Sequence, residues 1–258
     1  MSDEILTLLE ALGLRHMRET IEDALKSAQK TKPSYSAFLL NLLRQEHQDK
    51  RNRTLANRLR RSGLREFWTL DTFPFALQPS VNKRSFLELA ELDFLERAES
   101  VVLIGPSGVG KSGLASALIL KALYAGKSAF RISAQDLFEE LGASHADRST
   151  KRLLKRLSRL DLLLVDEFGF VNPPLAAQVN DFFRLMDNRC NRKSTILTTN
   201  LETDEWAKFL GNPSLTSALT SRLFQNCHTI RIPNGVDLRH AKPKLPAAPP
   251  LPPVLAAR

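Results

Sequence analysis

The chain has 258 residues, with 37 Lys+Arg against 28 Asp+Glu, a formal charge of +9 and 43% apolar residues. That is enough to bury a substantial core, as one large domain or as a core with a smaller appendage, and the positive excess favours a polyanionic partner, nucleic acid foremost. No apolar run approaches bilayer-spanning length, the opening Met1-Ser2-Asp3-Glu4 is acidic where a signal peptide is basic, and the 2 cysteines, Cys190 and Cys227, lack metal-ligand spacing or a disulfide framework; no membrane association and a reducing cytoplasm are expected.

Residues 1 to about 70 contain almost no Gly or Pro, and Ile5, Leu8, Leu9 and Leu12, then Met17, Ile21 and Leu25, recur at helical spacing. After Pro33, Phe38, Leu39, Leu42 and Leu43 predict a second amphipathic helix, which turns basic from Arg44 to Arg65. Arg44, Arg51, Arg58 and Arg65 recur every seven residues, with Arg53, Arg60 and Arg61 between them, so one helix can present cations to the phosphates of double-stranded DNA. The competing reading is a solvated helix face, and sparse aromatics disfavour a single-strand stacking platform. Thr69 to Ser80, with Phe73-Pro74-Phe75 and Pro79, breaks the periodicity and predicts a connector. The expected division is a helical N-terminal domain over 1–72, a nucleotide-binding domain over 73–239 and a proline-rich extended tail over 240–258. Phe86 to Leu95 predict one apolar helix packed on the sheet.

Val101 to Ile104 predict a short buried parallel strand and Leu114 to Leu120 a helix. Between them Gly105-Pro106-Ser107-Gly108-Val109-Gly110-Lys111-Ser112 matches the phosphate-binding loop G-x-x-x-x-G-K-[ST] at every fixed position. Such a loop points backbone N–H groups at phosphate oxygens, which requires glycines where a Cβ would block approach. Lys111 reaches the β- and γ-phosphates and the Ser112 hydroxyl can ligate Mg²⁺.

Ser128 to Ile132 predict a second strand and Ala134 to Leu141 a helix, continuing a β–α alternation. In the helix expected from Arg148 to Arg159, Lys151, Arg152, Lys155, Arg156 and Arg159 share one face and Leu153, Leu154, Leu157 and Leu160 the other, either a second DNA contact or a solvated face. Asp161-Leu162-Leu163-Leu164-Val165-Asp166-Glu167 predicts a buried strand ending in two carboxylates beside the bound phosphates. Asp166 suits Mg²⁺ and Glu167 suits polarisation of an attacking water. Ser194 to Asn200 predict another strand, with Asn200 at the same sheet edge, able to orient the water or simply to form a turn. Ser214 to Phe224 predict a helix carrying Arg222, and His228 to Ile232 a final strand. None of the 5 histidines has spacing for a metal or a triad.

Taken in order, Gly105 to Ser112, Asp166-Glu167, Thr198-Thr199-Asn200 and a Ser-Arg-Leu helix resemble the AAA+ ATPases. Leu6-Thr7-Leu8-Leu9-Glu10-Ala11-Leu12-Gly13-Leu14, Phe38 to Glu46 and Leu92-Asp93-Phe94-Leu95-Glu96-Arg97 more narrowly resemble IstB, the ATP-binding helper of bacterial insertion sequences, related to the DnaC helicase loaders. The resemblance implies an α/β P-loop NTPase with a parallel sheet flanked by helices, preceded by a small all-helical domain. It implies ATP and Mg²⁺ as cofactors, double-stranded DNA and an integrase-type transposase as partners, and a homo-oligomer with intersubunit ATP sites in the bacterial cytoplasm. On it, Asp166 and Glu167 become the Walker B pair, Asn200 the first sensor and Arg222 an arginine finger acting on a neighbouring subunit. The chain departs from the family pattern at Ser112-Gly113, where Thr-His is commoner, at Ser221 before the finger arginine, and at Val236-Asp237-Leu238-Arg239 in place of Ser-Tyr-Arg, which leaves a second-sensor role for Arg239 open. A helicase loader is the alternative function. A small-molecule phosphoryl transferase lacks any substrate-pocket motif and clashes with the basic balance.

Overall fold

The computed structural model describes residues 3–170 and 172–239; the expected proline-rich tail lies outside them. The described residues fall into two compact units that divide after Asn57. This is earlier than the proline-bearing connector, because the residues that follow already bury themselves in the second unit: Ser62 is fully buried and Phe73 4% exposed.

The N-terminal unit holds α1 (Asp3–Ala11), α2 (Arg15–Thr31) and most of α3 (Tyr35–Arg60). Its core is small: Leu9, Met17, Ile21 and Leu42, with Leu6, Leu14, Leu25 and Phe38 packed around them. Leu14 supplies no side-chain cap to α2. The buried Glu46 of α3 does so instead, accepting the Met17 N–H at 2.8 Å, so a carboxylate meets the positive end of that helix. Arg53 pairs with Glu46 at 3.1 Å and Asp49 at 2.7 Å, which withdraws it from the basic face expected of this helix.

After the end of α3 and the connector, the second unit continues with α4 (Lys83–Ala90) and α5 (Asp93–Glu96). The single apolar helix expected here is broken at Leu92, whose φ of +67° turns the chain while keeping its side chain buried. The sheet comprises β1 (Ser100–Ile104), β2 (Ala129–Ser133), β3 (Leu162–Phe168), β4 (Ser194–Thr199) and β5 (Cys227–Arg231). All pairings are parallel in the order β2-β3-β4-β1-β5. Around it lie α6 (Lys111–Tyr124), α7 (Ala134–Ala146), α8 (Thr150–Ser158), α9 (Ala176–Arg189), α10 (Trp206–Leu210) and α11 (Pro213–Gln225). The expected α/β class and parallel sheet are thus present. α9 has no counterpart among the expected elements, although Val179, Phe182, Leu185 and Met186 fall at helical spacing and are buried.

The order matters because it seats β3, β4 and β1 side by side, so that residues following three separate strands converge at one carboxyl edge. Among the described residues no helix is long and apolar enough to cross a membrane.

Candidate nucleotide-binding site

The loop from Gly105 to Ser112 joins β1 to α6, and Gly108 and Gly110 adopt φ of +84° and +95°, a backbone that favours glycine. Lys111 is buried, and its Nζ donates to the carbonyls of Gly105 at 2.7 Å and Pro106 at 2.8 Å. Burial pulls its ammonium down to about 8, against the opposing attraction of Asp166 and Glu167. A phosphate would supply the counter-charge this lysine lacks.

Asp166 and Glu167, adjacent in sequence, have opposite environments. Asp166 is fully buried, whereas Glu167 is exposed. The β3–β4 register shifts between Val165 and Phe168, and Glu167 takes φ +61°. Such a backbone costs about 1–3 kcal/mol in a non-glycine residue, and a bulge of this kind re-aims a side chain beside a site. A continuous chain of hydrogen bonds holds the pair. The Glu167 N–H donates to Thr198 Oγ1 at 2.9 Å, Thr198 Oγ1 donates to Asp166 Oδ1 at 2.5 Å, and Ser112 Oγ donates to the same oxygen at 2.8 Å. In the sequence Thr198 stands out only as part of Thr198-Thr199-Asn200, with no role of its own. Its signal was its position one strand away from Asp166, visible only once the strand order is known.

These residues open onto a cleft of about 700 Å³ whose lining includes Ser107, Lys111, Ser112, Glu167 and Thr198. Trp68 and Phe73, from the segment after α3, form another wall, their ring centroids 6.2 Å apart. A Cβ at Gly113 would stand 3.3 Å from the Trp68 indole. At the departure Ser112-Gly113 the glycine therefore suits its neighbour, since a larger side chain would crowd the indole. Phe170 covers the Lys111 ammonium, 5.9 Å from its ring centroid. Leu238 donates its N–H to Gly108 O at 2.9 Å, and Arg239, paired with Asp237 at 2.7 Å, lines the cleft. The open position of Arg239 is therefore at the site.

Asn200 is exposed just past β4, beside Gly169, and Thr198 rather than Asn200 is among the lining residues. Arg222 is on α11, paired with Asp187 at 2.7 Å and 5.0 Å from the Phe183 ring centroid, and does not line the cleft of its own chain.

The basic residues separate by environment. Arg44 and Arg51 are exposed on α3, Arg58 is half-buried near Gly126, and Arg65 lies past the helix, 3.8 Å from Asp136. The expected single face from Arg44 to Arg65 is therefore interrupted, because α3 ends at Arg60 and Gly63 turns the chain at φ +70°. On α8, Lys151, Arg152, Lys155 and Arg156 are all exposed opposite the buried Leu153, Leu154 and Leu157, as the spacing predicted, with Arg156 bonded to Glu140 at 2.8 Å.

The Ser112 hydroxyl and Asp166 carboxylate are hard oxygen donors placed together, a pair that fits Mg²⁺. Among the described residues no cluster of three or more His, Cys, Asp or Glu could hold a metal by itself, so the remaining ligands would come from phosphate oxygens and water.

The family model described as IstB-like ATP binding protein matches residues 7–244. The chain belongs to this family. It is 34% identical over 229 residues to the insertion sequence IS21 putative ATP-binding protein of Pseudomonas aeruginosa, covering 89% of this chain and 86% of that one. It is 32% identical over 194 residues to the IS5376 putative ATP-binding protein of Geobacillus stearothermophilus, covering 75% and 76%. In three dimensions this IstB-like chain is similar to the DnaC helicase loader, with TM-score 0.55 and 20% identity over 66% of this chain and 99% of that one. It is also similar to AMPPCP-bound DnaA from Aquifex aeolicus, with TM-score 0.56 and 21% identity over 70% and 56%. The fold is that of an AAA+ ATP-binding protein.

Proposed function

We propose that this IstB-like protein is a Mg²⁺-dependent ATPase whose cycle governs its assembly on double-stranded DNA and the stimulation of a partner integrase-type transposase. The observation that carries hydrolysis, beyond binding, is Glu167: a carboxylate held at strained φ +61° and exposed at the cleft that Lys111 and Ser112 also line. A carboxylate in that position polarises water for attack on the γ-phosphate.

In this reading the Gly105–Ser112 loop cradles the phosphates and Trp68 and Phe73 flank the base. Ser112 and Asp166 hold Mg²⁺, which neutralises charge on the phosphates when bound. Glu167 activates water, Asn200 orients it as first sensor, and Arg239 serves as second sensor. Arg222 reaches the site of a neighbouring subunit, which agrees with its absence from the cleft of its own chain. Arg44 and Arg51 of the N-terminal unit, and Lys151, Arg152, Lys155 and Arg156 of α8, contact DNA phosphates, with Arg58 and Arg65 at the margin. The domain proposal keeps the helical N-terminal unit as the DNA- or partner-binding part but moves its boundary from residue 72 back to Asn57, so that Trp68 and the rest of the connector belong with the ATPase part. The names of the relatives, insertion-sequence ATP-binding proteins, support the transposition context.

The likeness to a helicase loader over 99% of that chain favours a second reading, the loading of a replicative helicase through the same ATPase core. Strand transfer reconstituted with an integrase-type transposase, DNA, ATP and Mg²⁺ separates the two. Stimulation by the full chain that requires ATP is the expected result. Unchanged strand transfer, with ATP-dependent loading of a helicase onto DNA, would replace the first reading with the second.

A further inference from the structure

Arg131 belongs to no motif in the sequence, yet its guanidinium makes two hydrogen bonds to the site's buried carboxylate. Asp166 divides its two oxygens between different neighbours. Oδ1 takes the hydroxyls of Ser112 and Thr198, while Oδ2 takes Arg131 Nε at 3.0 Å and Nη2 at 2.7 Å. The geometry follows from register. Ser133 of β2 is paired with Asp166, and Arg131, two residues earlier, is paired with Leu164, so Arg131 sits on the same face and diagonal to the carboxylate, within reach of a long side chain. Its own side chain is 11% exposed.

The backbone of Arg131 is anchored independently. β2 is an edge strand, and the Arg131 N–H on its open side donates to Ser62 O at 2.7 Å. Gly63, at φ +70°, approaches so closely that a Cβ there would stand 2.1 Å from the Arg131 carbonyl oxygen. The residue that grips Asp166 is thus clamped by the segment following α3.

We propose that Arg131 is a positioning residue for the metal and nucleotide site: by holding Oδ2 from two directions it turns Oδ1 toward Ser112. The inference rests on the reading of Ser112 and Asp166 as the Mg²⁺-holding pair. A two-pronged guanidinium suits this task better than a lysine, because it fixes orientation as well as charge. Outer partners of metal-ligating groups typically change metal affinity by about 10–100-fold when removed.

The test uses the full chain with Arg131→Gln, which keeps a donor without charge, and Arg131→Lys, which keeps charge without the fork. Binding of a fluorescent ATP analogue is measured in EDTA and across a Mg²⁺ titration, with thermal unfolding alongside. The expected result is affinity in EDTA near that of the unaltered protein, with the Mg²⁺ concentration for half-maximal effect raised about 10–100-fold in Arg131→Gln and less in Arg131→Lys. A folded variant with an unshifted Mg²⁺ dependence would reduce Arg131 to a core ion pair and overturn the proposal. Should Arg131→Gln fail to fold, Arg131→Lys carries the same measurement, since it keeps a cation over the buried carboxylate. If the unaltered protein itself binds nucleotide with no Mg²⁺ dependence, the reading of Ser112 and Asp166 fails, an outcome distinct from the failure of Arg131 alone.

Discussion

In the sheet unit two charged groups of the candidate site are held inside: Asp166 is fully buried against Arg131, Ser112 and Thr198, and Lys111 is 7% exposed. The N-terminal unit is built the other way. Among its described residues it buries the carboxylate of Glu46 and leaves Leu8, Leu12 and Leu39 more than half exposed. The difference is one of core size. Five paired strands with helices around them enclose enough apolar material to hold charge out of water, whereas Leu9, Met17, Ile21 and Leu42 cannot enclose much beyond themselves. A unit of the first kind can hold catalytic groups still; one of the second offers its surface to others.

Glu167→Gln tests the catalytic side of this contrast most severely. ATP hydrolysis is expected to fall about 100- to 10,000-fold while nucleotide binding persists; ordinary turnover in this variant would remove Glu167 from its role. Next in size is Glu46→Gln, which strips a buried carboxylate from the start of α2 and is expected to destabilise the N-terminal unit by about 1–3 kcal/mol. Urea unfolding followed by helical signal checks it, with nucleotide affinity expected unchanged; a matching loss of affinity would erase the energetic distinction between the units.

Paired substitutions ask which unit grips DNA. Arg44→Gln with Arg51→Gln, and separately Lys151→Gln with Lys155→Gln, are each expected to reduce the slope of log affinity against log salt by about two. A slope unmoved by one pair assigns DNA contact to the other unit.

The smallest effect concerns Lys111. Its folded ammonium titrates at about 8, below its ordinary 10.5. Between those values the unfolded chain holds a proton that the folded chain has released, so this group makes stability rise with pH from about 8 to 10.5 and adds no slope below. Lys111→Met is expected to lose that rise, measured by unfolding of the nucleotide-free protein across pH; an unchanged profile would mean that the burial of Lys111 carries no charge penalty.

Much of this was legible in the chain because the relevant signals are local. The loop from Gly105 to Ser112 needs glycines at particular φ values and a lysine at its end, so its spacing survives in any context that keeps a strand before and a helix after. The leucine and lysine faces of α8 follow from helical geometry alone. Local spacing also misled where a turn intervened. The seven-residue arginine series crossed the end of α3 because Gly63 breaks the helix and no periodicity count registers that break. Leu92 likewise divided one apparent apolar helix in two.

The sequence by itself determined the nucleotide loop, the acidic end of β3, the parallel α/β alternation and the helical start, since each depends on residues close together in the chain. Only the tertiary structure decided that β4 lies between β3 and β1, and with it that Thr198 bridges Asp166 and Glu167, that a bulge separates those two carboxylates into buried and exposed, that Trp68 fills the space over Gly113, and that Arg131 clamps Asp166. Those contacts join residues far apart in sequence, and their geometry is set by strand order and register, which no local pattern encodes.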